Sequence, residues 1–176
     1  MQPFTRHTAI AAPLIQDDIN TDQIAPILHS RGLKEDYRAM LFHRARRRDD
    51  GSDNPGFVLN KPQFRSAGIL VTGNNFGAGS SRESAVWSML ANDIRVIVAR
   101  SFADIYRENC LQNGLLPIVL APAEADAFTA RVIAAGPACR PAATDRLEEV
   151  DARADRIADK GQSGSICRSL HCEMRA

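Results

Sequence analysis

The sequence predicts an α/β domain with a parallel βαβαβ unit at its centre. Three apolar runs of strand length lie between residues 68 and 120, and two segments with apolar residues at helical spacing separate them. Strands that alternate with helices this closely pair in parallel through right-handed crossovers. The composition agrees with one domain that has a hydrophobic core, because 44% of the 176 residues are apolar and 24% are charged.

The first half of the unit is a strand over residues 68–73, a glycine-rich loop, and a helix over about 82–92. The strand is a continuous apolar run, as is typical of a parallel strand that is buried on both faces. The helix carries apolar residues on one face, namely Ala85, Val86, Met89 and Leu90.

The second half is a strand over residues 95–99, a helix that opens near Ser101, and a strand over 115–120. Ser101 and Asp104 have the spacing of a capping box, in which two side chains bond to the backbone at a helix start. Gly114 lies where a glycine ends a helix. The predicted apolar face of this helix consists of Phe102, Ile105 and Tyr106.

Composition and sequence patterns exclude several classes of protein. The net charge of +1 provides no general attraction to nucleic acid or to anionic membranes. The longest apolar runs, residues 94–99 and 115–121, are far shorter than the roughly 20 residues that a membrane-spanning helix needs. Residues 1–14 lack the charged segment and apolar stretch of a secretory signal, so we expect a cytoplasmic protein.

The cysteines do not predict a metal site. Cys110, Cys139, Cys167 and Cys172 contain no C-x-x-C pair. Cys167 and Cys172 lie near His171, but a closed metal site needs a fourth ligand at a suitable spacing. Free thiols in a reducing compartment are the simpler interpretation.

A charge run over residues 44–56 includes three consecutive arginines at 46–48. Such a run could bind phosphate. However, Asp49 and Asp50 offset its charge, and turn-forming residues follow directly. A solvated loop is therefore the preferred interpretation of this segment.

The loop over residues 74–83 is the predicted binding site, because ligands of parallel sheets bind beyond the carboxyl ends of the strands. Gly77 and Gly79 let the backbone turn sharply and approach a ligand. Two serines and then Arg82 follow at a helix start, where hydroxyl groups, free amides and a planar guanidinium suit an anion. The loop matches neither the dinucleotide fingerprint nor the Gly-Lys-Ser/Thr phosphate loop.

Two structural interpretations compete with an anion site. Ser80 and Glu83 also have the spacing of a capping box, so Ser80 could simply cap the helix. Arg82 could pair with a neighbouring acid instead of a ligand. The residues alone leave the functional and structural interpretations about equally open.

Five stretches in matching order resemble the swivelling small domain of the aconitase superfamily, and in particular the longer bacterial small subunits of 3-isopropylmalate dehydratases. They are residues 21–26, 57–60, 77–83, 101–105 and 113–117. The resemblance covers roughly residues 4–135. It implies a swivelling β/β/α domain over residues 1–136, followed by an atypical charged tail over residues 137–176.

The resemblance also implies a division of labour between two chains. A large subunit holds a [4Fe–4S] cluster whose iron acts as a Lewis acid on the substrate hydroxyl, and this chain carries no cofactor. By the same resemblance, Ser80 is the base that removes a proton from the carbon next to the hydroxyl-bearing carbon. The implied substrate-binding residues are Gly79, Ser81, Arg82, Asp22 and Arg31. Arg31 would be a second cation beside Arg82, and Lys34 is the alternative to Arg31 in that role.

The implied reaction is the isomerisation of 2-isopropylmalate to 3-isopropylmalate, a hydro-lyase step of leucine biosynthesis. The family loop usually has cysteine, histidine and proline where this chain has Ala78, Ser84 and Val86, and Ile27 replaces a basic residue after Pro26. These changes leave the base and the carboxylate clamp in place. They keep open another dicarboxylate hydroxy acid, of the citramalate, methylmalate or homoaconitate type. A non-catalytic carboxylate-binding remnant is the alternative from another class.

Overall fold

The structure is a computed structural model that describes residues 6–27, 36–144 and 169–173. The strands of this part are β1 (Arg6–Thr8), β2 (Ile10–Pro13), β3 (Ala67–Val71), β4 (Val96–Ala99), β5 (Leu116–Val119), β6 (Arg140–Thr144) and β7 (Ser169–Glu173). The α-helices are α1 (Thr21–Ile24), α2 (Tyr37–Met40), α3 (His43–Arg46), α4 (Glu83–Ala91), α5 (Asp104–Asn113) and α6 (Pro122–Ala135). Short 3-10 turns occur at Val58–Asn60, Pro62–Phe64 and Gly136–Ala138.

Four parallel strands form the central sheet, in the order β2-β3-β4-β5. α4 connects β3 to β4, and α5 connects β4 to β5. In register, Ala12, Leu70, Ile97 and Pro117 lie side by side across the four strands. The predicted parallel βαβαβ unit is therefore confirmed, with β2 added at its edge.

Each face of the sheet borders its own hydrophobic core, because successive side chains of a strand point to opposite faces. Leu70 of β3 belongs to the core that contains Met89 of α4 and Tyr106 of α5. Ile69, the preceding residue, belongs to the core that contains Phe128 of α6. The predicted apolar face of α4 is confirmed, since Ala85, Val86 and Met89 are fully buried and Leu90 is partly buried.

A smaller antiparallel sheet has the order β1-β6-β7. β6 follows α6 through a short 3-10 turn, and Ala143 of β6 is buried in the same core as Phe128. Residues 137–144 and 169–173 of the predicted tail thus belong to ordered elements of the fold. The boundary at residue 136 stays a prediction, and residues 145–168 and 174–176 lie outside the described part.

The start of α5 differs from the sequence prediction. α5 begins at Asp104, and its preceding residue makes no side-chain capping bond, so the capping box of Ser101 and Asp104 is wrong. The Ser101 hydroxyl instead accepts a hydrogen bond from the backbone N–H of Asn75 at 2.8 Å. Ile105 is 57% exposed and does not belong to the apolar face. Gly114 ends the helix with a left-handed φ of 77°, as predicted.

Among the helices of the described residues, none has the length and apolar character needed to cross a membrane.

Candidate functional site

The loop that follows β3 lies at the carboxyl edge of the sheet, between the segments that follow β2 and β4. Hydrogen bonds between main-chain groups join it to both neighbours. On the β2 side, the bonds are Asp18 N to Asn74 O at 3.0 Å, Gly77 N to Ile19 O at 2.7 Å, and Thr21 N to Ala78 O at 2.9 Å. On the β4 side, they are Phe76 N to Ser101 O at 3.1 Å and Ala103 N to Phe76 O at 3.0 Å. The loop is therefore fixed along both sides by its backbone.

Gly77 lets this loop pass directly over the aromatic ring of Tyr106. Its φ is +81°, and a Cβ atom at this position would overlap the Tyr106 ring. Tyr106 in turn packs edge-on against Phe76, with 5.5 Å between ring centroids. Gly79 has a φ of +95°, a conformation that residues with a Cβ atom rarely adopt. The interpretation of both glycines as sharp-turn residues is confirmed.

Ser80 does not cap α4. The helix begins at Glu83, and the residue before it, Arg82, makes no side-chain capping bond. A tight turn, in which Arg82 N donates to Ser80 O at 2.8 Å, keeps Ser80 outside the helix. The capping interpretation of Ser80 is therefore wrong. Its side chain is exposed, and its hydroxyl makes no hydrogen bond within the described part of the chain.

The main chain of Ser80 is held by Thr21, the first residue of α1. The Thr21 hydroxyl donates a hydrogen bond to the carbonyl oxygen of Ser80 at 3.0 Å. Thr21 is 1% exposed, so this bond is largely shielded from solvent. α1 itself begins with a true capping box, in which Asn20 and Gln23 bond to each other's backbone. Residues 21–26, one of the five stretches that carry the family resemblance, thus contact the loop directly.

Arg82 forms an ion pair with Asp22 of α1. The guanidinium is mostly buried, with 29% of the side chain exposed, whereas Asp22 is 57% exposed. The Nη1 atom that faces Asp22 is buried and makes no hydrogen bond of standard geometry within the described residues. The expectation that Arg82 could pair with a neighbouring acid is confirmed. The pair leaves other guanidinium N–H groups to meet a ligand.

The first turn of α4 presents free hydrogen-bond donors beside Arg82. Within the described residues, the backbone amides of Glu83 and Ser84 have no acceptor, because no side chain caps this helix. A helix start carries partial positive charge, and its amides bind anions. Exposed Ser81 lies two residues before Glu83, on the other side of Arg82. The site can therefore hold a carboxylate between a guanidinium and a helix start.

The structure thus brings together five of the predicted site residues, namely Asp22, Gly79, Ser80, Ser81 and Arg82. Arg31 and its alternative Lys34 lie outside the described residues. The second cation therefore stays a prediction.

A cavity of about 400 Å³ adjoins Asp22. Its lining includes the apolar residues Leu14, Ile19, Phe42 and Phe57 and the polar residues Gln16, Gln23 and Arg44. These residues are not among the site residues predicted from the sequence. They come from segments up to 43 positions apart, and neither spacing nor motif links them.

The described residues contain no group of three His, Cys, Asp or Glu side chains placed to hold a metal ion. Cys110 and Cys139 are both buried, and burial raises the pKa of the Cys110 thiol to about 12. Cys167 and the side chains of His171 and Cys172 lie outside the described part. The prediction that this cluster binds no metal therefore stays a prediction.

The chain is similar to known proteins of one family. The family model described as the aconitase C-terminal domain matches residues 1–123. The 3-isopropylmalate dehydratase small subunit of Dinoroseobacter shibae is 50% identical over 127 residues, which are 72% of this chain and 63% of that protein. The corresponding protein of Mesorhizobium japonicum is 48% identical over 123 residues, which are 69% of this chain and 61% of that protein.

A solved structure, the 3-isopropylmalate dehydratase (leuD) of Methanocaldococcus jannaschii, is similar with a TM-score of 0.51 and 30% sequence identity. The match covers 68% of this chain and 65% of that chain. The chain therefore spans less than two thirds of the length of each of these relatives.

Proposed function

The chain belongs to the aconitase C-terminal domain family, and from this premise we propose that it is the small subunit of a hydro-lyase that isomerises 2-isopropylmalate to 3-isopropylmalate. The observation that carries the proposal is the grouping of Ser80, Ser81 and Arg82 at the uncapped start of α4. Ser80 is free of a capping role, so its hydroxyl is available for chemistry.

Ser80 acts as the base in this proposal. Its Oγ takes a proton from the substrate carbon next to the hydroxyl-bearing carbon, and the electron pair of the broken C–H bond forms the alkene as the hydroxyl group leaves. Hydroxide then adds to the carbon that lost the proton, and Ser80 returns its proton to the carbon that lost the hydroxyl group, which regenerates the alkoxide. An alkoxide on Ser80 needs positive neighbours, and Arg82 and the free amides of Glu83 and Ser84 supply them.

Arg82 binds a substrate carboxylate, together with the hydroxyl of Ser81 and the close backbone approach at Gly79. Before the substrate arrives, Asp22 holds the guanidinium in place. A planar guanidinium can contact two carboxylates through different N–H pairs, so Asp22 need not leave when the substrate binds. Arg31 or Lys34 provides the second cation.

The cavity beside Asp22 supports a substrate with an alkyl group. Leu14, Ile19, Phe42 and Phe57 give it apolar wall area that suits the isopropyl group. Arg44, in the same lining, would suit the extra carboxymethyl group of a homoaconitate-type substrate, which stays an alternative. A citramalate- or methylmalate-type substrate would fill it less completely. These malate analogues remain the alternative substrates.

The proposed partner is a large subunit whose [4Fe–4S] cluster supplies Lewis-acid assistance to departure of the hydroxyl group. We assign no cofactor to this chain, and we place the complex in the cytoplasm without a role for nucleic acid or membranes. Anaerobic reconstitution of the chain with iron and sulfide tests the cofactor assignment. A stoichiometric cluster absorbance in the chain alone would contradict it.

The decisive experiment compares Ser80→Ala and Ser80→Asn with Ser52→Ala, an exposed serine that lines neither the site nor its cavity, in complexes with the large subunit. Removal of a general base lowers the rate by roughly 10²–10⁴-fold. We therefore expect both Ser80 variants to lose turnover and Ser52→Ala to keep it, with similar melting temperatures throughout. Turnover by Ser80→Asn would refute the catalytic role. Tight binding without turnover by the unmodified complex would favour a carboxylate-binding remnant.

A further inference from the structure

Two arginines of the 46–48 run, Arg46 and Arg47, contribute to a second feature of the molecule. Arg46 belongs to α3, so the interpretation of this run as a solvated loop is wrong for that residue. Arg46 and Arg47 line an open cavity of about 660 Å³ together with Arg38 and Arg65. We call this cavity the arginine hollow. Its four arginines come from α2, α3 and the segments that follow α3 and the second 3-10 turn.

The arginine hollow has more positive than negative groups in its lining. Three aspartates accompany the four arginines, and two of them are engaged in ion pairs. Asp53 pairs with Arg47 at 2.7 Å and lies 3.9 Å from Arg65, while Asp93 pairs with Arg38 at 3.0 Å. One carboxylate is thus shared between two guanidinium groups.

Arg46 has no carboxylate partner within the described residues. Two amide oxygens orient its guanidinium instead, that of Asn60 at 3.1 Å from Nε and that of Asn92 at 3.3 Å from Nη1. Nη2 has no acceptor in the described part of the chain. Burial lowers the pKa of Arg46, and the charge of Arg47 lowers it further. The charge of Asp53 acts in the opposite direction, but none of the described carboxylates contacts the guanidinium. A half-buried cation that neutral amide groups hold in place, and that lies among three other arginines, is suited to an anion.

The two asparagines are themselves fixed. The side-chain amide of Asn60 donates to the carbonyl oxygens of Arg46 at 2.7 Å and Asn54 at 2.9 Å. That of Asn92 donates to the carbonyl oxygens of Arg38 at 3.0 Å and Ser88 at 2.9 Å. The guanidinium of Arg46 is therefore preorganised by a hydrogen-bonded frame, as in binding sites that need no rearrangement.

We propose that the arginine hollow binds a compact oxyanion, a phosphoryl or carboxylate group of a small molecule, through Arg46 and Arg65. Asn92 directly follows α4, and Arg82 directly precedes it. The hollow therefore lies at the opposite end of this helix from Arg82, roughly 15 Å away at about 1.5 Å per residue. The volume leaves room for an organic group attached to the anion.

Titration of the full chain with inorganic phosphate tests the proposal, with sodium acetate as a separate arm and with ionic strength kept constant. The NMR signals of the Asn60 and Asn92 side-chain amides report on the hollow itself. We expect phosphate to shift both signals saturably. Tighter binding of phosphate than of acetate would assign a phosphoryl source, and the reverse a carboxylate source.

Arg46→Gln and Arg65→Gln should each weaken phosphate binding by about tenfold or more, because each removes a charge-assisted hydrogen bond. Arg65 is an exposed side chain, so its variant remains informative if Arg46→Gln does not fold. Arg48→Gln removes the same charge from the same run without touching the hollow, and Arg82→Gln removes the other anion site. Both variants should leave the phosphate-induced shifts of the Asn60 and Asn92 signals unchanged. Absence of saturable shifts, or an equal loss in Arg48→Gln, would overturn the proposal.

Discussion

The hydroxyl of Thr21 donates a hydrogen bond to the carbonyl oxygen of Ser80 at 3.0 Å, and so joins residues that are 59 positions apart. Thr21 is buried, whereas the Ser80 side chain is exposed. The main chain of the proposed base is thus fixed, whereas its side chain is exposed. We therefore expect Thr21 to act as a positioning residue.

Thr21→Val should lower turnover more than stability. Loss of one buried hydrogen bond costs about 0.5–1.5 kcal/mol in the free energy of unfolding. A small displacement of a reacting group can cost roughly 10²-fold in rate. Thr72→Val is the matched control, because Thr72 is also buried and donates to the carbonyl oxygen of Gln16 at 3.1 Å. Urea unfolding and turnover of the complex measure both effects, and equal turnover losses in the two variants would contradict the positioning role.

Arg82→Lys should raise KM at least tenfold with little change in melting temperature. Lysine keeps the charge but loses the planar donors that contact a carboxylate in pairs. Lysine also keeps a positive charge beside half-exposed Asp22, so the melting temperature should change little. Arg38→Lys alters an exposed ion pair with Asp93 and serves as control. An unchanged KM in Arg82→Lys would reduce Arg82 to a structural role.

Gly77→Ala should destabilise the fold by several kcal/mol, because it adds both backbone strain and overlap with Tyr106. Gly51→Ala separates the two causes, since Gly51 has the same φ of +81° but nothing within 4 Å of an added Cβ atom. A left-handed residue with a Cβ atom costs about 1–2 kcal/mol, which is the expected effect at Gly51. Chemical denaturation of both variants gives the difference. Equal losses would show that the Tyr106 ring moves aside freely.

Cys110 should make the stability of the folded chain fall at alkaline pH. Burial raises the pKa of its thiol to about 12 from an ordinary value of 9.0, so the folded state favours the neutral thiol. The contribution of the neutral thiol to the stability of the folded chain is complete below pH 9. It is lost as the pH rises towards 12, because the thiol ionises at lower pH in the unfolded chain than in the folded one. The free energy of unfolding should decrease between pH 9 and 11 more steeply than in Cys110→Ala, by up to about 1.4 kcal/mol per unit. Identical slopes in urea titrations would contradict this.

The sequence was sufficient for the central unit because its signals are local. β3 and β4 are continuous apolar runs in which every residue is buried, and the apolar spacing of α4 matches its buried face. Gly114 ends α5 because glycine adopts the left-handed conformation without steric cost. Each of these features depends on residues within one or two turns of each other.

The starts of α4 and α5 could not be predicted from the local sequence. Ser80 and Ser101 form hydrogen bonds with residues distant in the sequence and do not cap the nearest helix. Ser101 accepts a hydrogen bond from the backbone N–H of Asn75, 26 positions away. Ser80 is turned out of α4 by a tight turn and held by Thr21. The contact between Asp22 and Arg82 joins positions 60 apart, and no short pattern in the sequence indicates it.

The loop after β3 is held in place by main-chain hydrogen bonds, which a change of side chain leaves intact. Ala78 contributes its carbonyl oxygen to the bond with Thr21, and Phe76 contributes its N–H and carbonyl groups to the bonds with Ser101 and Ala103. None of these bonds depends on the identity of a side chain. A residue such as Ala78 can therefore be exchanged during evolution while the scaffold keeps its shape. New ligand preferences can then arise by single substitutions on an unaltered frame.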